Sequence, residues 1–426
     1  MRDEGGALAA RSPGRRLAVQ VVTLRYPPYV GGGFELLTQD LVRALRARGH
    51  RVRVLTARGA GFEDEGVTGA LLPALEAGVD PFERSFRASS AERFALHFFR
   101  LANYRATLHA LEADPADACL FLNLGLLSLA PLVAARHRSV PAVGYVADPW
   151  PLNHWLLSWP RIDGRLVKPG RYKLLEWFWR GFRDLVGIQR LLVASAHLAR
   201  RFEAGGIDRQ ALEVVHVPIP PDLEALAARV ETLRRAPAEP LRVVCLSSFW
   251  KGKGQDVLIE AVRRARAEGA PIECVLAGAV VDAAFRAELE ARVRAAGMEG
   301  VVSFVHGLGR AQVSRLLARS HVFALPSTWE EPFSQAALEA MAHGVCPLVS
   351  DAGGSPEAVT HLAEGWIARA GDARAFSAAL SALAADEALR TRLAGAARLR
   401  VNARHAHAGF VDRIEAELEA AALDAP

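Results

Sequence analysis

Apolar residues in this chain come in short, almost unbroken runs separated by longer stretches of helical periodicity. LAVQVVTL (17–24), RVRVLT (51–56), ACLFL (118–122), PAVGYV (141–146), RLLVAS (190–195) and LEVVHV (212–217) are runs of this kind. A strand with one face in water alternates apolar and polar positions, whereas continuous apolarity means cover on both faces, so these runs predict parallel strands flanked by helices. After RRAPAEP (234–240), a proline-containing linker, the pattern restarts with LRVVCL (241–246), IECVLA (272–277), VVSFV (301–305), HVFALP (321–326) and CPLVS (346–350). At 426 residues the chain also exceeds what one hydrophobic core usually organises. The expected fold class is therefore α/β: two Rossmann-like, doubly wound parallel-sheet domains in tandem, facing a central cleft at the carboxyl ends of their strands. The stretch AHAGFVDRIEAELEAAAL (406–423) reads as a terminal amphipathic helix.

Composition narrows this picture modestly. Hydrophobic residues make up 51% and charged residues 23%, as in a folded globular protein. The longest uncharged apolar run, 118–135, is broken by Asn123, Gly125, Ser128 and Pro131, so no membrane span is predicted. Residues 1–16 are charged on both sides of a very short apolar piece and are expected to be a disordered leader rather than a signal peptide. Cys119, Cys245, Cys274 and Cys346 lie far apart in apolar runs, which fits free thiols in a reducing compartment better than a metal site or disulfide framework. A net charge of +5 permits an anionic ligand or a membrane surface and is too diffuse to indicate nucleic acid.

Three places carry candidate chemistry. In YPPYVGGGFELL the glycines Gly31, Gly32 and Gly33 let the backbone approach a ligand before a helix start near Phe34, where free amides and the positive dipole end stabilise an anion. A tight strand-to-helix turn needs glycine equally well. In SSFWKGKGQDVL, Lys251 and Lys253 precede a helix beginning near Gln255 and would neutralise a diphosphate; a solvated basic turn is the alternative. In WEEPFSQAALEAM, Ser334 is a plausible N-cap, Gly344 and Pro347 stop the helix, and Gln335, Glu339 and His343 share one face. That stripe fits a surface helix, yet the flanking apolar runs place the helix at an interior edge, where Glu339 needs a partner. The acidic loop GFEDEG (61–66) has no histidine nearby, and no Asp-x-Asp metal motif occurs, so chemistry without an obligatory metal is expected.

These segments, in this order and with FALPSTWEEPFSQAALEAMAHGVCPLVSDAGGSPEAV (323–359), resemble the family-4 retaining glycosyltransferases, which have the GT-B fold. The resemblance spans about 17–400, and Glu331 and Glu339 have the spacing of that family's E-x7-E signature. It implies that Glu331 lies against the transferring sugar, with the amides of Phe333, Ser334 and Gln335 on its hydroxyls and Glu339 on the ribose. Lys253 then matches the lysine on the diphosphate, Gly32 and Gly33 the glycine loop that closes over it, Glu35 a supporting residue of that loop, and Asp148 a kept catalytic-site acid. The pattern is broken in three places. Ser248 stands where the family has arginine, with Lys251 as a nearby replacement charge. Ala147 stands for a histidine, and Ser334 for a glycine.

On this reading residues 17–233 form the acceptor-binding domain, 234–240 the linker and 241–400 the nucleotide-sugar-binding domain, with a helix over 401–426 that packs back on the first domain. Five of the eight tryptophans lie in the basic stretch 150–183, which suits either a bulky apolar acceptor or an anionic membrane interface; an insertion packed on its own domain explains it as well. The expected function is a retaining, metal-independent, cytoplasmic or inner-membrane-peripheral transferase with no cofactor beyond its nucleotide diphosphate sugar. Its acceptor would be a small molecule, a glycan or a lipid-linked sugar. A non-catalytic donor-binding partner and a nucleotide-sugar epimerase are the rivals.

Overall fold

The computed structural model describes residues 15–30, 32–73, 99–148, 161–162, 165–166, 190–204, 207–223 and 240–424. Gly31, most of the leader, the linker up to 239 and nearly all of the tryptophan-rich segment 150–183 lie outside the described residues. Two compact units emerge: residues 1–146, 150–192 and 413–426 form the first, and 147–149 and 193–412 the second.

The amino-terminal half runs β1 (Ala18–Val22), α1 (Gly33–Ala47), β2 (Arg51–Ala57), β3 (Val67–Leu71), α2 (Leu101–Ala113), β4 (Ala118–Phe121), α3 (Ala130–His137) and β5 (Ala142–Val146). After a two-residue antiparallel ladder of β6 (Arg161–Ile162) and β7 (Arg165–Leu166) come β8 (Arg190–Val193), α4 (Ala196–Ala204) and β9 (Leu212–Val214). The sheet order is β3-β2-β1-β4-β5-β8-β9, with β1 parallel to both β2 and β4. Every residue of β4 and β5 is buried, the condition their unbroken apolarity predicted. The half-exposed edge strand β3 (VTGAL) was missed because edge strands need no continuous apolar run.

The carboxyl-terminal half runs β10 (Leu241–Leu246), α5 (Gln255–Ala267), β11 (Ile272–Ala277), α6 (Ala283–Ala295), β12 (Val302–Val305), α7 (Arg310–Arg319), β13 (Val322–Leu325), α8 (Gln335–Ala342), β14 (Cys346–Ser350), β15 (Trp366–Ala368), α9 (Ala373–Ala385), α10 (Glu387–Arg404) and α11 (His407–Leu423). Its sheet has the order β12-β11-β10-β13-β14-β15, and all five neighbour pairs are parallel. Val243, Cys245, Leu276, Ala324 and Leu348 from the strands meet Leu258, Leu289, Phe376 and Leu380 from the helices in one buried cluster. Burying such side chains contributes about 1.5–3 kcal/mol each before entropy is subtracted.

All four cysteines are free and buried. Desolvation pushes the Cys119 and Cys346 thiols up to about 12 and Cys245 to about 11. The last turns of α11 belong to the first unit, where Glu415 accepts from Arg48 (2.6 Å) and pairs with His50 (2.7 Å), and Glu417 accepts from Arg190 (2.8 Å). Among the described residues no helix is long and apolar enough to cross a membrane.

Candidate active site

In the second sheet β10 feeds α5 and then β11 on one side, while its neighbour β13 feeds α8 and then β14 on the other. The loops leaving the carboxyl ends of β10 and β13 therefore diverge, the arrangement that opens a binding crevice in a doubly wound sheet. One loop is the 3-10 turn Lys251–Lys253 and the other is Pro326–Ser334.

Backbone contacts lock these loops together. The Gly252 carbonyl accepts from the Thr328 and Trp329 amides, both at 3.0 Å. Gly254 has φ +68°, and a Cβ there would stand 2.1 Å from the Pro326 carbonyl oxygen, so both conformation and space require glycine. As a result Lys253 Nζ reaches Glu331 Oε1 at 2.5 Å, and the Ser327 hydroxyl donates to the same oxygen at 2.7 Å. Glu331 is only 5% exposed, a burial that would be costly for a carboxylate without these two donors. Its Oε2 takes no hydrogen bond among the described residues, leaving one carboxylate oxygen for a ligand. Behind it the Gly354 amide donates to the Glu331 carbonyl at 2.6 Å, and a Cβ on Gly353 (φ +64°) would lie 2.4 Å from that carbonyl oxygen.

Helix α8 begins beside this pair. Ser334 is its N-cap, and the hydroxyl accepts from the Ala337 amide at 3.2 Å. The side-chain oxygen that replaces the family's glycine is thus spent on capping. The amides of Phe333, Ser334 and Gln335 have no acceptor among the described residues, so three donors are left unused in the turn that follows Glu331. Ala337, Leu338, Ala340 and Met341 are fully buried, which makes α8 an interior helix rather than a surface one. Half-buried Glu339 has its carboxyl pushed up to about 7, chiefly by desolvation; Arg310 pulls it down and Asp222 adds to the rise. Those two form their own ion pair at 3.3 Å. His343, on the predicted polar face, bonds the Glu339 carbonyl (2.8 Å) and Ser314 (2.6 Å).

The other expected residues are placed less decisively. Lys251 is exposed, and half-buried Ser248 uses its carbonyl to accept from Gln255 Nε2 at 2.9 Å. In the first unit α1 starts at Gly33, and Gly32 donates its amide to Glu35 Oε2 at 2.8 Å. A Cβ on Gly32 would meet nothing closer than 3.9 Å, so packing does not require glycine there. Asp148 is half-buried just past β5. The acidic loop is structural: Asp64 accepts from Tyr26, Gln39 and Arg43 at 2.7, 2.9 and 3.0 Å. Sequence reasoning missed the T-shaped pair of Trp250 and Trp329, 5.8 Å between centroids, which the two loops bring together. It also missed an arginine-rich pocket of ≈ 440 Å³ lined by Arg264, Arg369 and Arg374.

Residues 31–223 match the model of Glycosyltransferase Family 4, and residues 232–400 that of Glycosyl transferases group 1. The chain belongs to the family-4 glycosyltransferases. The amylovoran biosynthesis glycosyltransferase AmsK of Erwinia amylovora is 29% identical over 224 residues, 51% of this chain and 53% of that protein. The putative colanic acid biosynthesis glycosyltransferase WcaL of Escherichia coli is 32% identical over 206 residues, 46% of this chain and 48% of that protein. The match thus spans about half the length of these two relatives. A D-inositol 3-phosphate glycosyltransferase of Jonesia denitrificans matches over 401 residues, 86% of each chain, at 24% identity. Among solved structures, Anabaena HepE in complex with UDP aligns over 95% of this chain and 100% of its own, with TM-score 0.70 and 18% identity. Sucrose-phosphate synthase of Thermosynechococcus elongatus aligns over 94% and 98%, with TM-score 0.70 and 16% identity. The family-4 chain has the GT-B fold, two Rossmann-like units built on parallel sheets.

Proposed function

We propose that this family-4 protein transfers a sugar from a nucleotide diphosphate sugar to an acceptor hydroxyl, with retention of configuration and without an obligatory metal or further cofactor. The observation that carries the reading is the Lys253–Glu331 pair at the β10/β13 switch point, with one carboxylate oxygen left over and three acceptor-free amides beside it. Cleavage of the bond from the anomeric carbon to the diphosphate builds positive charge on the sugar ring and negative charge on the leaving oxygen. Glu331 Oε2 faces the first need, and Lys253 with Lys251 faces the second; the glycine turn at Gly32 and Gly33 of the first unit is a separate anion-binding candidate. The acceptor oxygen bonds to the anomeric carbon on the face the diphosphate leaves, and the departing phosphate oxygen takes the acceptor proton. Glu339 accepts from the ribose hydroxyls, and the amides of Phe333, Ser334 and Gln335 hold the sugar. Asp148 is assigned to the catalytic site and Ser248 to the donor side.

The reading is supported by solved relatives of the fold bound to UDP and UDP-glucose. AmsK and WcaL are named for amylovoran and colanic acid biosynthesis; our reading places the acceptor in the polysaccharide or lipid-linked glycan class, at the cytoplasmic face of a membrane. The test is incubation with a panel of nucleotide sugars. Slow release of free nucleoside diphosphate, lowered by roughly 10²-fold in Glu331→Gln, supports transfer. Binding without turnover for every donor and acceptor tried would replace this reading with that of a donor-binding partner, which Ala147 and Ser248 would then explain.

A further inference from the structure

The loop after β14, GGSPEAV, places Glu357 in a 3-10 turn (Ser355–Ala358) whose partners lie outside its own strand and helix. The carboxylate accepts from the first two amides of α4, Ala196 at 2.8 Å and His197 at 2.7 Å, and pairs with His216 Nε2 at 3.2 Å. The third amide, Leu198, goes to the N-cap Ser195 hydroxyl at 3.0 Å. Three amides that a helix leaves orphaned are thus satisfied, two of them by a residue 160 or more positions away.

The same contacts reach the donor loop from two sides. The His216 ring packs on Phe333 with centroids 5.0 Å apart, and His405 packs on Phe333 at 5.7 Å. His405 is held through Nδ1 on the Val217 carbonyl at 3.2 Å. On the other side Gly354 donates to the Glu331 carbonyl, and a Cβ on Gly354 would stand 2.2 Å from the Pro332 carbonyl oxygen and 3.0 Å from Ser195. Residues 331–333 are therefore clamped between Gly353–Gly354 and the two histidine rings. Glu357 ties both jaws to α4. A further tie joins Arg201 of α4 to Glu330 at 3.3 Å, but Glu330 is largely exposed, so this pair contributes little.

We propose that Glu357 is a positioning residue for the donor loop, setting the place of Glu331 and of the Phe333–Gln335 amides through the amino end of α4 and the His216–Phe333 contact. The role rests on the transfer reading for its consequence in donor binding, not for its geometry. Its carboxyl is held below the ordinary range against the opposing cost of burial, with the bonds from His216 and the two α4 amides as the cause. The groups facing it are His216, His197 and Arg400, whose guanidinium donates to the Glu357 carbonyl at 3.2 Å.

The experiment compares wild type, Glu357→Ala, Glu357→Gln and a control, Asp386→Ala, which removes the unrelated α10 cap on Leu389. Backbone hydrogen exchange over residues 331–341 is read without ligand, and affinity for UDP and GDP is read by calorimetry. Expected is faster exchange at the hydrogen-bonded amides of Glu331, Ala337 and Leu338 in Glu357→Ala and not in the control, with affinity about tenfold weaker. Glu357→Gln, which keeps an acceptor but no charge, falls between and carries the test if the alanine variant does not fold. For the nucleotide that binds, kcat at saturating donor falls less than affinity. Exchange and affinity in the Glu357 variants equal to those of the control overturn the proposal. If wild type binds neither these two nor the other common nucleoside diphosphates while exchange responds as expected, the transfer reading fails and the positioning role stands.

Discussion

Lys253 and Glu331, 78 positions apart in sequence, meet at 2.5 Å and join the loops of two adjacent parallel strands. The contact depends on backbone geometry before side-chain chemistry, because Gly252 and Gly254 bring the lysine turn onto the 326–329 loop. The pair therefore has a structural and a proposed catalytic part, and substitutions separate them.

Lys253→Met leaves the Glu331 carboxylate buried with only Ser327, and unfolding free energy should drop by roughly 3 kcal/mol, as for a broken buried ion pair. Lys253→Met combined with Glu331→Gln should recover part of the loss, measured by urea denaturation. Glu331→Gln alone should lower turnover by roughly 10²-fold while changing donor affinity much less. Equal small effects on both would remove Glu331 from the chemistry.

Glu339 sets a pH dependence of unusual sign for an acid. Its carboxyl is pushed from 4.5 to about 7, so between those values the folded protein holds a proton that the unfolded chain has released. Stability should consequently fall as pH rises through that window, and Glu339→Gln should flatten the profile. Because ribose hydroxyls favour the ionised form, nucleotide affinity should strengthen as pH rises through about 7 in wild type and not in Glu339→Gln. Calorimetry in two buffers at pH below that value should register proton release on binding. Proton uptake, or none, would place the ribose elsewhere.

Gly254→Ala forces a Cβ at φ +68° to within 2.1 Å of the Pro326 oxygen. The cost should be roughly 3 kcal/mol or more, with loss of activity through displaced Lys253. A shift of the urea midpoint no larger than that of an exposed-helix control would mean that the loops relax freely.

Ser334→Ala removes the α8 cap and should cost about 1 kcal/mol, whereas Ser334→Gly should cost a few tenths. Neither should alter which sugar is accepted, since the hydroxyl is committed to the Ala337 amide. A changed donor preference in a screen would show that Ser334 faces the sugar instead.

Burial, which raises the thiol pKa values, should keep all four cysteines inert in the native state. A disulfide exchange reagent at pH 8 should titrate them only after denaturant is added, and rapid native reaction of any one would expose an opening motion of its sheet.

The run pattern by itself determined the doubled parallel sheet, because burial on both faces demands unbroken apolar strands, and ACLF and AVGYV lie fully buried as read. It also determined the interior terminus of α8, where Ser334 caps and Gly344 ends the helix. The edge strands β3 and β15 were not legible, since a half-exposed edge carries no such run. Which charged residues pair was not legible either. Glu331 and Glu339 are both glutamates eight positions apart, yet one is held by Lys253 and Ser327 while the other is desolvated with its carboxyl raised. Nothing in sequence near Glu357 names Ala196, His197 or His216 as its partners. Local periodicity encodes what a segment buries. Partners across loops are chosen by strand order and by where glycine lets backbones touch, and that choice exists only once the sheet has formed.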